Sequence, residues 1–209
     1  MAISRRHFVA AGGALPFAAA TATGLLAPSE ARAAKPQILE SDHVMGLPGA
    51  PITIIEYASL TCGHCGNFHN LTFGGLKKNY IDTGKVKFVY RHFPLDRYAF
   101  IAAILAECAG EQGNFFQMID VIFERQGTWT REKDPALALI ELGKENGVPL
   151  ESFVHCLTNQ ELVDAIASES LIGSSQFGVD STPTIFIQGE KYERNRDFET
   201  MDSYLKTLA

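Results

Sequence analysis

Ile52-Thr53-Ile54-Ile55-Glu56-Tyr57-Ala58-Ser59 runs through Leu60-Thr61 straight into Cys62-Gly63-His64-Cys65, and this junction decides how the chain reads. The first eight residues are largely β-branched and apolar and too few for a helix, so they predict a buried strand. A helix is expected from Cys62 or Gly63 to Tyr80, capped by Thr61, with Phe68, Leu71, Leu76 and Tyr80 among its core positions. Gly74 and Gly75 weaken that helix and predict a bend. Asp82-Thr83-Gly84 reads as a turn, and residues 86–92 alternate as a second strand. Strand, helix, strand in this order predicts a parallel βαβ unit.

The chemistry gathers at the same junction. Two residues between Cys62 and Cys65 let both sulfurs meet within the first helical turn. Cys62 would sit at the helix N-terminus, where unpaired N–H groups and the helix dipole favour an anion. A thiolate is the attacking form of cysteine, so a depressed pKa there makes Cys62 reactive near neutral pH. Cys65, one turn further in, is sheltered and placed to attack a mixed disulfide on Cys62. His64 lies between them and is expected to support the Cys62 thiolate by charge or hydrogen bond. The competing reading is a structural metal site, but one C-x-x-C supplies two of the four ligands a closed zinc site wants, and no second C-x-x-C exists. His69 is near in sequence but would be shared with the helix face.

Glu56 stands in an otherwise apolar strand just before the motif. Buried beneath the helix, it would exchange a proton with Cys65; as a strand-end residue it would face solvent, the usual place for Glu. Thr182-Pro183 precedes another apolar run, Thr184-Ile185-Phe186-Ile187-Gln188. A proline there marks a strand start, or, in cis beside Cys62, leaves the Thr182 backbone free to hold an incoming peptide. His43, His92 and His155 read as surface or strand-end residues and not as ligands.

Further outward, residues 98–177 read as helix throughout. One face is marked by Ile101, Ile104, Leu105 and Cys108, and a second by Phe115, Met118, Ile119 and Ile122. Leu137, Ile140 and Leu142 mark a third, and Leu162, Ile166, Leu171 and Ile172 a last long helix. Residues 38–45 could hold a short edge strand. Gly189-Glu190 reads as a hairpin turn with Tyr192 opening a partner strand, and Asp197 to Leu208 as a closing helix. The fold class expected is α/β, one sheet domain interrupted by an all-helical insertion.

Ser4-Arg5-Arg6-His7-Phe8, the uncharged run from Val9 to Ala27 and Ala31-Arg32-Ala33 make a twin-arginine type export signal over residues 1–33. Gly12, Gly13, Pro16, Thr21, Thr23 and Gly24 dilute the apolar run too far for a spanning helix. Removing the leader takes away Arg5, Arg6, Arg32 and Glu30, so the net charge moves from −6 to −8. With no basic run, nucleic acid is not an expected partner. An exported chain can keep disulfides.

The strand Ile54-Ile55-Glu56-Tyr57, the motif Cys62-Gly63-His64-Cys65, the helix around Ala106-Glu107-Cys108-Ala109-Gly110 and Ser181-Thr182-Pro183-Thr184, in this order, resemble the DsbA family of periplasmic thiol oxidases. The resemblance spans the chain from Ala34 on. It implies a thioredoxin-like fold over residues 34–94 and 177–209, with a helical insertion over 95–176. It implies Cys62 as nucleophile, Cys65 as resolving cysteine, Glu56 as buried acid and Thr182-Pro183 as the cis-proline substrate loop. It also implies reduced exported polypeptides as substrates, a membrane reoxidase of the DsbB type as partner, and no bound cofactor. Gly63 departs from the proline that the best-known members carry before the histidine. Cys108 and Cys156, absent from the simplest members, read as a second, structural disulfide or as two buried free thiols. The function expected is therefore a periplasmic thiol:disulfide oxidase. The competitors are a disulfide isomerase or reductase and, in a different class, a copper(I)-binding thiol protein.

Overall fold

The computed structural model describes residues 34–208; the leader expected over residues 1–33 lies outside the described residues. Among the described residues, β1 (His43–Met45), β2 (Ile52–Ala58), β3 (Val86–His92), β4 (Thr184–Ile187) and β5 (Glu190–Lys191) form one sheet, ordered β1-β3-β2-β4-β5. β2 and β3 pair in parallel, from Ile52 against Val86 to Ala58 against His92, and the other neighbours are antiparallel. Strands in the middle of such a sheet are covered on both faces, so β2 reads as a near-continuous apolar run. Ile52, Ile54 and Ala58 face the large core, while Ile55 and Tyr57 pack with Val89, Val179 and Phe186 on the other side. Burying each such side chain contributes about 2 kcal/mol.

Helix α1, over residues 63–81, makes the crossover from β2 to β3. It runs as α-helix except for wide π-type turns at His69–Phe73 and Lys77–Ile81, on either side of Gly74–Leu76. The glycine pair therefore sits between two π turns and does not end the helix. Gly75 has a second use: a Cβ there would lie 2.6 Å from the Phe198 ring, so its absence admits the C-terminal helix. The π turn explains one misplaced residue. Leu71, expected in the core, is 79% exposed, because the wider turn rotates the face and brings His69, Thr72 and Phe73 inward.

Between β3 and β4 the chain is helical, as expected: α2 (Arg97–Gly110), α3 (Phe115–Glu124), α4 (Gln126–Trp129), α5 (Pro135–Glu145), α6 (Leu150–Thr158) and α7 (Gln160–Phe177). Asp96, Asp134 and Asn159 cap α2, α5 and α7 by accepting from backbone N–H groups of the first turn, at about 1 kcal/mol per cap. Leu137 and Leu171, expected on apolar faces, are exposed; Leu139 and Leu142 bury α5, and Ile166 and Gly173 bury α7. α8 (Phe198–Leu205), capped by Asp197, closes the chain.

Two edges differ from the expectation. Only His43–Met45 of residues 38–45 forms a strand. The last hairpin turns at Gln188-Gly189, both at positive φ, so Glu190 already belongs to β5 and Tyr192 falls just beyond it. A two-residue turn with both φ positive matches the strand twist. The Gln188 amide supports it, accepting from Thr53 N–H at 3.0 Å and donating to the Pro51 carbonyl at 3.1 Å.

Cys108 on α2 and Cys156 on α6 are joined as a disulfide with Cα atoms 5.9 Å apart, closing a loop of 48 residues. Loop-closure entropy puts its contribution at about 4 kcal/mol. Replacing both cysteines with alanine should lower unfolding free energy by about that amount in urea titrations, with Cys62 and Cys65 held reduced in both proteins.

Candidate active site

Helix α1 begins without a side-chain cap. Cys62 holds the N-cap position in an extended conformation (φ −75°, ψ 119°). Thr61, the expected cap, turns away: its hydroxyl donates to Asp96 Oδ2 at 2.6 Å and lies 3.2 Å from Ser59 Oγ. The first-turn N–H groups therefore stay available to the Cys62 sulfur, which is what an anion at a helix N-terminus requires.

Cys62 and Cys65 are both free thiols, Cys62 half-buried and Cys65 fully buried. The two are driven apart electrostatically. A hydrogen bond from the Cys65 thiol does most to lower the Cys62 pKa, burial opposes it, and the Cys65 and His64 backbone N–H groups add to it; the result is about 5. Burial pushes the Cys65 thiol far above its usual range, helped by its hydrogen bond to Cys62 and by the Glu56 charge. The pair thus presents one thiolate to solvent and one protonated thiol to the core. His64 is exposed, and its backbone N–H adds to the support of the Cys62 thiolate.

Residues far apart in sequence complete the site. The Thr182–Pro183 bond is cis, and Thr182 O lies 3.3 Å from Cys62 Sγ, where it accepts from that sulfur in its protonated form. From the helical block, Gln126 donates from Nε2 to the carbonyls of Leu60 and Cys62, at 2.8 and 3.0 Å. A Cβ on Gly66 would sit 2.4 Å from Gln126 Oε1, so only glycine lets this amide reach the loop. An open polar cleft of about 590 Å³ lies beside the motif, with His64, Asn67, Asn70 and Gln126 in its walls. An apolar hollow of about 460 Å³ is formed by Pro94, Leu95, Phe100 and Ile101, next to the Asp96 that binds Thr61.

Beneath the motif, Glu56 is fully buried, so the solvent-facing alternative is overturned. Its Oε2 lies 2.8 Å from Nε2 of His69, itself buried. Sequence reasoning named His69 without giving it this partner; the signal was its place one turn after Cys65. Gln126 was missed altogether, since nothing in its neighbourhood marks it. Tyr90, opposite Glu56 in the sheet register, is fully buried with its phenol pushed well up by burial and then by the Glu56 charge. Among the described residues, the cluster able to hold a metal ion is Cys108, Glu111 and Cys156, whose sulfurs are already bonded to each other.

A family model described as Thioredoxin matches residues 39–207. The "Putative protein-disulfide oxidoreductase" of Rickettsia prowazekii (strain Madrid E) is 32% identical over 158 residues, which are 75% of this chain and 58% of that protein. Its counterpart in Rickettsia felis is 33% identical over 155 residues, 72% of this chain and 54% of that protein. The chain therefore spans a little over half the length of these curated relatives. Among solved structures, alpha-DsbA1 of Wolbachia pipientis superposes with a TM-score of 0.76 at 29% identity, over 82% of this chain and 92% of that one. Oxidised BdbD of Bacillus subtilis gives 0.73 at 22% identity, over 86% and 98%, a likeness of fold. With a sheet crossed by a C-x-x-C helix, a helical insertion before the cis-proline strand, and a family model over most of its length, this chain belongs to the thioredoxin family and resembles alpha-DsbA1 of Wolbachia pipientis.

Proposed function

We propose that the chain is an exported thiol:disulfide oxidase that passes the Cys62–Cys65 disulfide to reduced polypeptides in the periplasm. The observation that carries this reading is the split within the motif, a Cys62 thiolate at about pKa 5 beside a Cys65 held protonated. A dithiol that gains from a stabilised thiolate gives a disulfide that is readily reduced, which is what a donor of disulfides needs. The relatives named as disulfide oxidoreductases and the likeness to alpha-DsbA1 support it.

In the forward direction a substrate thiolate attacks Cys62 Sγ and Cys65 leaves. A second substrate thiol then attacks the mixed disulfide, and the Cys62 thiolate departs at low cost because the helix N-terminus holds it. Thr182 and Pro183 are proposed to hold the substrate backbone alongside Cys62, and the hollow at Leu95, Phe100 and Ile101 to take an apolar side chain. Residues 34–94 and 177–209 serve as the thioredoxin-like part and 95–176 as the insertion, which supplies Gln126 to the motif. The leader over 1–33 would deliver the chain by a twin-arginine route, and a membrane reoxidase of the DsbB type would restore the disulfide.

Equilibration of the chain from Ala34 onward in glutathione buffers should leave Cys62–Cys65 reduced until the buffer is strongly oxidising. Ready oxidation in reducing buffer would exclude the oxidase reading in favour of a reductase. With a protein that carries a disulfide as the partner, Cys65→Ala should accumulate a mixed disulfide on Cys62, the partner's second sulfur leaving as thiolate, and Cys62→Ala should form none.

The pH dependence has a definite sign. The Cys62 pKa falls from an ordinary value of 9.0 to about 5, so the thiolate stabilises the dithiol form above pH 9 and this gain is lost as pH falls towards 5. Thiolate absorbance at 240 nm should therefore titrate near pH 5, and Cys65→Ala should move that midpoint upward by removing the strongest donor to Cys62. The stability difference between reduced and oxidised protein, measured by urea unfolding, should shrink over the same window.

A further inference from the structure

The Glu56–His69 pair is a buried ionisable contact that the exchange reaction above leaves unused, and it sits on the core side of Cys65. His69 follows Cys65 by four positions, so both point from the same face of α1. Its ring cannot swing: it stacks on Phe123 with centroids 4.2 Å apart and leans on Phe73 at 4.9 Å, with Phe68 edge-on at 5.5 Å. Clamped in this way, Nε2 is aimed at Glu56 Oε2, 2.8 Å away. Glu56 Oε1 and His69 Nδ1 are buried without a hydrogen-bond partner among the described residues. A carboxylate with one bare oxygen in the core is costly unless charge or a proton reaches it.

We infer that His69 is a positioning residue for the resolving cysteine: the Glu56–His69 pair, and not Glu56 alone, holds the proton that Cys65 gains and loses. The inference rests on the exchange role of Cys62 and Cys65 and names the proton's place in it. As the substrate sulfur bonds to Cys62 Sγ, the Cys62–Cys65 bond breaks and its electron pair stays on Cys65. A proton passes from the pair through Glu56 Oε1 to that sulfur, leaving neutral imidazole beside carboxylate. On reoxidation Cys65 attacks a mixed disulfide, its proton returns to the pair, and the departing thiolate carries the electron pair away. One proton thus cycles between sulfur and pair, and no further reactant is needed.

The other groups facing the pair do not take its place. Tyr90 on β3 has its phenol pushed up, so it stays neutral. Asp120 on α3 is raised by burial, with the His69 charge opposing. β4 presents Ile185, and α8 presents Met201 and Leu205 while its Asp202 is bound by Tyr80 and Lys206. Further along β3, His92 is held by Glu107, which His43 also engages.

The test follows reduction of the Cys62–Cys65 disulfide by dithiothreitol from pH 5 to 8, in wild type, His69→Gln and His69→Phe. Gln keeps a donor for Glu56 but cannot hold the proton. In wild type the rate per dithiothreitol thiolate should fall as pH rises. In both variants that fall should vanish, with about a tenfold or greater loss at pH 6. A His69→Gln profile that follows wild type within twofold overturns the inference and leaves His69 a structural donor. Nitrogen-15 spectra of the His69 ring in wild type give a second readout that needs no variant to fold: its protonation should differ between dithiol and disulfide forms, and identical spectra overturn the inference. Failure of wild type to oxidise a reduced protein while still reacting with dithiothreitol would count against the oxidase reading alone.

Discussion

A parallel pair of strands cannot be joined by a tight turn, and most of this structure answers to that constraint. β2 and β3 run side by side, so the chain must cross over, and α1 is the crossover. A crossover helix starts at the end of the strand that feeds it. Its first N–H groups therefore open at the sheet edge, and Cys62 stands there. The same geometry lays the first turns of α1 over β2, which places Cys65 above the strand that carries Glu56. A half-exposed cysteine at the surface and a buried carboxylate below it are two consequences of one connection.

The site then depends on what is withheld from it. A threonine immediately precedes the N-cap, yet its hydroxyl is drawn off to Asp96 at the start of the helical block. Had a side chain capped α1, a backbone donor that now lowers the Cys62 pKa would be occupied. The block gives something back through Gln126, whose amide ties down the Leu60 and Cys62 carbonyls across a face that Gly66 keeps open. Thus the insertion helps to hold Cys62 in position as well as covering the core.

Burial separates two chemically identical thiols. Half-exposed Cys62 can be stabilised by aligned donors, while Cys65 bears the full desolvation cost beside a carboxylate, so each raises the difference between them. Arg91 shows the other solution to the same problem. Fully buried, it is satisfied by Asp42 in a two-point contact, by the Tyr57 hydroxyl and by the Gln37 carbonyl, and so fastens the N-terminal segment to β3.

The strands, the C-x-x-C helix and the helical block were legible in the sequence because each is written locally, in β-branched runs, helical periodicity and a motif of fixed spacing. Leu71 was misplaced because a π turn changes the period, and no local signal announces one. Glu56 could be read as buried or exposed until β4 covered it on one edge and β3 on the other. The pairing of His69 with Glu56, the arrival of Gln126 from 61 residues beyond Cys65, and the approach of Thr182 to Cys62 all join segments that periodicity treats as independent. Short-range chemistry determined which residues can react. Tertiary contact alone decided which neighbours set their charge, because desolvation and hydrogen bonding depend on what the fold brings within a few ångströms.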